Sequence, residues 1–187
     1  MELLNNTELL EKYIEKYNID QIFDRDITDK MSLFRTEKDE KIYWADEKVE
    51  YFYFLVKGKL KVYSLLQNGK SILVRFCTPL SVLGDLEMLE NYKIKNNVSG
   101  VNEALLIGIK MDDIRKYALN DIGFLRFVIK HLSHKLYTNI NSLALNVSYP
   151  LETKLASYLV SLATDEEDNR KLDELRTTSI SEIATLL

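Results

Sequence analysis

The period of the apolar positions changes twice along this chain. Leu9, Leu10, Tyr13, Ile14 and Tyr17 recur at helical spacing among glutamates and lysines, which predicts an amphipathic packing helix ending near Asn18. From Met31 to Ile109 the texture turns to short runs of Val, Ile, Tyr and Phe, broken at Lys57-Gly58, Gln67-Asn68-Gly69 and Thr78-Pro79. Such a pattern predicts a many-stranded antiparallel region. Asn68-Gly69 sits between the runs 60–66 and 71–76 and predicts a two-residue hairpin turn, because that turn requires positive φ at both central positions.

The third regime is helical again. Asp121, after Asn120, is a natural N-cap for a segment that runs to about Ser148, where Pro150 ends or restarts it. Ile122, Leu125, Ile129, Leu132, Leu136, Asn139, Leu143 and Asn146 follow alternating steps of three and four, the seam of a parallel coiled coil with two polar interruptions. A seam of this kind needs a second copy, and its asparagines would fix register and oligomer state. The competing reading packs the helix on the β-region through Val128, Ile140 and Val147; both stripes can serve together. Beyond it, 151–162 reads as a further helix and 164–169 as an acidic loop. Ser179-Ile180-Ser181-Glu182 is a capping box opening a run with Ile183, Ala184 and Leu187. The expected organisation is 1–118 as N-terminal helix plus β-domain, 119–148 as dimerisation helix, and 149–187 as the start of a third domain.

Composition narrows the class. A chain of 187 residues with 46% hydrophobic and 29% charged residues, only two prolines and six glycines, is a folded domain of ordinary size rather than a linker. No apolar run approaches a membrane span, and the acidic N-terminus lacks the features of a secretory signal. The lone Cys77 excludes an intramolecular disulfide and falls short of an iron–sulfur ligand set; a reducing cytoplasm is the expected location. The net charge of −4 speaks against nonspecific nucleic-acid affinity. Residues 151–187 hold eight of the 29 acidic but four of the 25 basic groups, so any DNA-binding surface is expected past residue 187.

Tyr53-Phe54-Leu55-Val56-Lys57-Gly58-Lys59-Leu60-Lys61-Val62, then Gly84-Asp85-Leu86-Glu87-Met88-Leu89, then a long helix and the start Ile180-Ser181-Glu182-Ile183-Ala184 resemble, in order, the motifs of Crp/Fnr regulators. The likeness covers nearly the whole chain. The segments 83–89, 124–126, 132–135 and 149–151 resemble the YeiL-like branch of that family. The resemblance implies an α+β fold: an antiparallel β-roll, like the jelly roll of cyclic-nucleotide-binding domains, with an N-terminal helix, a long dimerisation helix and a winged helix-turn-helix that is incomplete at the C-terminus. It implies allosteric control of DNA binding and, as partners, DNA, a second copy and RNA polymerase. Thr178, Ser179 and Ser181 fall in the first helix of that motif.

One departure bears on the ligand. Cyclic-nucleotide binders of this fold carry Gly-Glu-Leu-Gly at the loop that receives the cyclic phosphate, with an Arg-Ser pair about a dozen residues on. Here the loop is Gly84-Asp85-Leu86-Glu87, and no arginine occurs between Arg75 and Arg115. A carboxylate replaces the second glycine, and Lys95, near the place of the arginine, lacks the bidentate fork. Cyclic AMP and cyclic GMP are therefore expected not to bind tightly; Gly84, Asp85, Glu87 and Lys95 remain the candidates for an effector pocket.

The remaining chemistry is sparse. His131 and His134 are the only histidines, three residues apart on the long helix, so a cupin-type metal site is not expected. Cys77 is a redox candidate if Arg75, on the same strand face, lowers its pKa; the plainer reading is a small apolar core residue. Tyr43, Trp44, Tyr51, Phe52, Tyr53 and Phe54 read as sheet core and cross-strand pairs, or as the lining of an organic effector's pocket. An enzyme with a roll-shaped site lacks its histidines and paired carboxylates. Two functions stay open: a homodimeric transcription regulator whose roll senses an effector or redox signal, and a stand-alone ligand-binding module acting through protein contacts.

Overall fold

A computed structural model describes residues 1–148 except Gln67, Lys70 and Asn91, with the side chains of the last helix described as far as Ile140. The readings at 151–162 and 164–169, and the capping box with Thr178, Ser179 and Ser181, lie outside the described residues. The chain divides into two compact units, Met1–Leu132 and Ser133–Leu187.

A short strand β1 (Glu2–Leu4), not foreseen from the sequence, precedes helix α1 (Thr7–Tyr17). The Asn6 side chain caps α1 by accepting from the Leu9 N–H at 2.9 Å, and Asn18 ends it in the left-handed region at φ 49°. Ile14 is buried, while Leu9, Leu10, Tyr13 and Tyr17 lie half-buried against the core, the face that the helical period marked out.

Two 3-10 turns (Asp20–Ile22 and Thr28–Lys30) lead into strands β2 (Met31–Thr36), β3 (Lys41–Tyr43), β4 (Tyr51–Lys57), β5 (Leu60–Leu65), β6 (Ser71–Cys77), β7 (Val82–Leu83), β8 (Asn97–Gly100) and β9 (Ala104–Lys110). They form two antiparallel sheets, β1-β2-β9-β4-β7 and β3-β8-β5-β6. They form the many-stranded antiparallel region that the sequence pattern predicted, in the α+β roll that the family resemblance implied.

Strand β4 shows why the roll is stable. Residues 52–56 are all buried, so both faces of the strand are covered. Period two sorts the aromatics. Phe52 and Phe54 meet Phe23, Phe124 and Phe127 on the helical side, with ring centroids 5.5 to 6.4 Å apart. Tyr51 and Tyr53 meet Phe34 and Tyr43 on the opposite face. Gly108 on β9 sits beneath that second cluster, where a Cβ would lie 2.7 Å from both the Phe34 and the Tyr53 ring. The core reading of the aromatics holds for Tyr43, Phe52, Tyr53 and Phe54. Trp44 departs from it: it is exposed, with the Lys41 ammonium 3.4 Å from its ring centroid.

The β5–β6 hairpin forms, but not with the predicted two-residue turn. Leu65 is paired with Ser71, leaving a five-residue connection that includes Gly69 at φ +79° and a bond from the Gly69 N–H to the Leu66 carbonyl at 3.0 Å. A bulge between Val62 and Tyr63 shifts the register, so Asn68-Gly69 sits within a wider loop rather than forming the whole turn.

After β9 the chain makes one turn of helix, α2 (Met111–Asp113), a π-helical turn (Ile114–Ala118), and then α3 (Ile122–Ser148). Asp121 caps α3 as predicted: its Oδ1 accepts the Phe124 N–H at 2.9 Å. Its Oδ2 accepts the Asp24 and Arg25 N–H groups at 2.8 and 3.2 Å, and the Asp24 carboxylate accepts in turn from the Gly123 N–H at 3.1 Å. With the Phe23 and Phe124 rings stacked at 5.1 Å, the segment after α1 is clamped to the root of α3.

Candidate functional site

The loop after β7 holds three of the four effector-pocket candidates. Gly84 adopts φ +92°, and a Cβ there would stand 2.9 Å from the Tyr43 hydroxyl and 3.2 Å from Met111 Cε, so only glycine lets the loop come this close. Asp85 and Glu87 follow, both buried. The segment is a chain of turns rather than a helix, with one helical bond from the Met88 N–H to the Gly84 carbonyl at 3.1 Å. The fourth candidate, Lys95, is exposed.

Two residues outside the four candidates hold this loop: Tyr43, which the sequence offered as sheet core or pocket lining, and Arg115, which it did not assign to the site. The Tyr43 hydroxyl beside Gly84 donates to the Tyr51 carbonyl at 2.5 Å. Burial, reinforced by Tyr53 and by the Glu87 and Asp85 carboxylates, pushes the Tyr43 phenol well above its ordinary value. The Arg115 guanidinium donates to the Glu87 carbonyl at 3.2 Å from the π-helical turn. Tyr43 stood in the aromatic run, and Arg115 is the first arginine after Arg75; neither position carries a spacing that predicts the contact. At the far end of the loop, Ser64 Oγ donates to Asn96 Oδ1 at 2.5 Å, and buried Asn97 accepts the Ala45 N–H at 3.2 Å.

Cys77 is a buried thiol within the core. The pairings Leu60 with Cys77 and Val62 with Arg75 put Arg75 and Cys77 on one strand face, as period two required. Burial at that depth fits the packing reading. His131 lies against the Phe127 ring at 4.2 Å, and His134 is exposed.

On α3, Phe124 and Val128 are fully buried and form the inward stripe. Val128 was expected there; Phe124 was not assigned to it, and Ile140 is exposed. On the seam, Ile122, Ile129 and Leu136 are 60%, 62% and 62% exposed, seven residues apart. Leu125 and Leu132 are half-buried beside them and Asn139 is exposed. The side chains of Leu143, Asn146 and Val147 lie outside the described residues. The two stripes therefore coexist over the first turns, one facing the core and one facing outward.

Comparison with known proteins agrees with this architecture. Residues 33–121 match the cyclic nucleotide-binding domain family. Over 135 residues the chain is 29% identical to the regulatory protein YeiL of Escherichia coli O157:H7, covering 72% of this chain and 62% of that protein. The chain thus spans about three fifths of the length of that curated relative. Among solved structures, FixK2 from Bradyrhizobium japonicum superposes with a TM-score of 0.67 at 22% identity, over 84% of this chain and 77% of that one. A CRP-family transcriptional regulator from Thermus thermophilus gives 0.59 at 25% identity, over 70% and 63%. The likeness to Crp/Fnr regulators and the roll architecture are borne out. No helix among the described residues is long and apolar enough to cross a membrane.

Proposed function

We propose, from a roll that matches the cyclic nucleotide-binding domain family, that this chain is the sensing and dimerising part of a cytoplasmic transcription regulator of the Crp/Fnr type. One observation carries the reading: a stripe of exposed Ile122, Ile129 and Leu136 on a 27-residue helix whose opposite stripe, Phe124 and Val128, is rooted in the roll. Large apolar side chains repeated every seven residues in water are the pattern of a helix that pairs with a copy of itself. The paired helices present two DNA-reading heads, each begun by the segment with Thr178, Ser179 and Ser181, to half-sites on one operator. RNA polymerase is the partner at the promoter.

The signal enters at the loop of Gly84, Asp85 and Glu87, with Lys95 at its exposed end, or through the thiol of Cys77. It acts only as far as it binds one arrangement of the paired helices better than the other. The Asp121 clamp supports this route, because it ties the root of α3 to the segment after α1. Cyclic AMP and cyclic GMP are not the effectors in this reading: it is supported by the loop Gly84-Asp85-Leu86-Glu87, where a buried glutamate replaces the second glycine of cyclic-nucleotide binders, and by Arg115 donating to the Glu87 carbonyl.

The test is Ile129→Glu, which places like charges opposite each other across the seam and leaves the core face intact. Light scattering on the eluted protein is expected to give a dimer for the parent and a monomer with unchanged circular dichroism for the variant. In cells, the protein that carries this chain is expected to occupy discrete promoter sites, lost in the variant. A monomeric parent, or a variant that dimerises as the parent does, refutes the reading.

A further inference from the structure

A cavity of about 600 Å³ lies on the flank of the first unit, between the β3–β4 connection and the turn that follows β9. This volume is within the range of small-molecule sites, roughly 300 to 1,000 Å³. Its walls are joined by a backbone bond from the Met111 N–H to the Glu50 carbonyl at 2.8 Å. The β3–β4 connection is itself pinned by reciprocal backbone bonds, Asp46 N–H to Ile94 carbonyl at 2.8 Å and Ile94 N–H to Glu47 carbonyl at 2.9 Å. The cavity is thus framed by ordered backbone.

The lining combines two kinds of chemistry. Val49 and Met111 are buried side chains on the apolar side, flanked by the rings of Tyr51 and Tyr92. Tyr92 is 64% exposed although it is large and aromatic, so it stands at the rim with a ring face available to a flat partner. The polar side carries the cations of Lys48, Lys110 and Arg115 against the carboxylates of Glu50 and Asp112. Arg115 is partly committed, at 3.9 Å from Asp112 and 3.2 Å from the Glu87 carbonyl. Lys48 and Lys110 form no ion pair among the described residues. The balance leaves the cavity one positive charge in excess, beside two aromatic rings and a thioether that packs well on a ring edge.

We propose that this cavity binds a small organic anion built on an aromatic ring, at a site separate from the interior of the Gly84 loop. The ring lies between Tyr92 and the Val49–Met111 wall, and the anionic group meets Lys48, Lys110 and the outer edge of Arg115. The π-helical turn that carries Arg115 is a rare element concentrated at functional sites. An anion here competes with the Glu87 carbonyl for Arg115, so occupancy reaches the Gly84 loop on one side and the approach to α3 on the other.

The experiment titrates the whole chain with 1-naphthoate, with uncharged 1-naphthamide and ring-free acetate alongside, and follows backbone amide shifts. Naphthoate is expected to move amides at 48–51 and 110–115 and to bind about tenfold more tightly than naphthamide, with acetate weaker still. Tyr92→Ala and Lys110→Gln change exposed side chains, so the variants are expected to melt with the parent and each to weaken naphthoate about tenfold. The proposal is overturned if naphthoate and naphthamide bind alike, if the variants bind as the parent does, if the shifts centre on 84–88 instead, or if no amide moves up to millimolar naphthoate.

Discussion

Asp121 tests how the long helix is tied to the roll. Its carboxylate is 5% exposed and accepts three backbone N–H bonds, from Phe124 at 2.9 Å within the helix and from Asp24 and Arg25 at 2.8 and 3.2 Å across 97 and 96 residues of sequence. Removing an N-cap acceptor costs about 1 kcal/mol. Each bond from a part-buried amide to a charged carboxylate contributes about 1 kcal/mol more, below the range for fully buried ones because water reaches Asp24 and Arg25. Asp121→Ala is therefore expected to destabilise the first unit by about 3 kcal/mol, a fall in Tm of about 6 to 12 °C. Asp121→Asn separates the two roles, because its one oxygen still caps Phe124 while its amide nitrogen does not accept from the two distant N–H groups. Roughly two thirds of the loss, about 2 kcal/mol, is expected, with hydrogen exchange accelerated at 24 and 25 and unchanged at 124. Urea unfolding and exchange measured on both variants decide the matter. An alanine variant losing less than about 1 kcal/mol, or an asparagine variant as damaged as alanine, would refute the two-part clamp.

Further outcomes follow from the core and the loop. Tyr43 and Tyr53 both have phenol pKa values raised first of all by burial, so their neutral forms favour the folded state. That contribution is complete below the unfolded value near 10 and is lost as pH rises above it, by about 1.4 kcal/mol per pH unit for each phenol. Tm measured from pH 8 to 11 should fall above 10, and less steeply in Tyr43→Phe; a flat profile contradicts this. Gly108→Ala pushes a methyl to 2.7 Å from two buried rings and is expected to cost about 1 to 3 kcal/mol in a denaturant titration; a neutral result means the Phe34–Tyr53 contact is looser than described. Calorimetry with cyclic AMP and cyclic GMP should give no tight isotherm, and submicromolar binding of either would show that the Asp85 and Glu87 carboxylates do not repel the phosphate.

The local code was legible where one segment decides its own structure. The period of Leu9 to Tyr17 marked α1 and its face, the Asn18 stop is a left-handed residue, and Asp121 announced the cap of α3. The alternation on β4 separated Phe52 and Phe54 from Tyr51 and Tyr53 because period two is a property of the strand itself. The seven-residue step of Ile122, Ile129 and Leu136 likewise needs only helix geometry, and these residues are exposed together. Where the outcome depended on a neighbour's register, the pattern misled. The bulge at Val62 and Tyr63 widened the connection around Asn68 and Gly69, and the inward stripe of α3 begins at Phe124 because Phe23 and Phe52 are there to receive it.

The candidate site divides the same way. The sequence by itself determined that Gly84 is followed by carboxylates in a chain with no arginine nearby, that the single cysteine shares a strand face with Arg75, and that the long helix carries two stripes. Only the tertiary structure decided that Asp85 and Glu87 are buried while Lys95 is exposed, that Tyr43 and Arg115 hold the loop, and that Lys48, Tyr92 and Lys110 surround one cavity. The physical reason is range: caps and periods are set by bonds within a few residues, whereas burial and charge proximity arise from contacts between segments tens of residues apart, which no local pattern encodes.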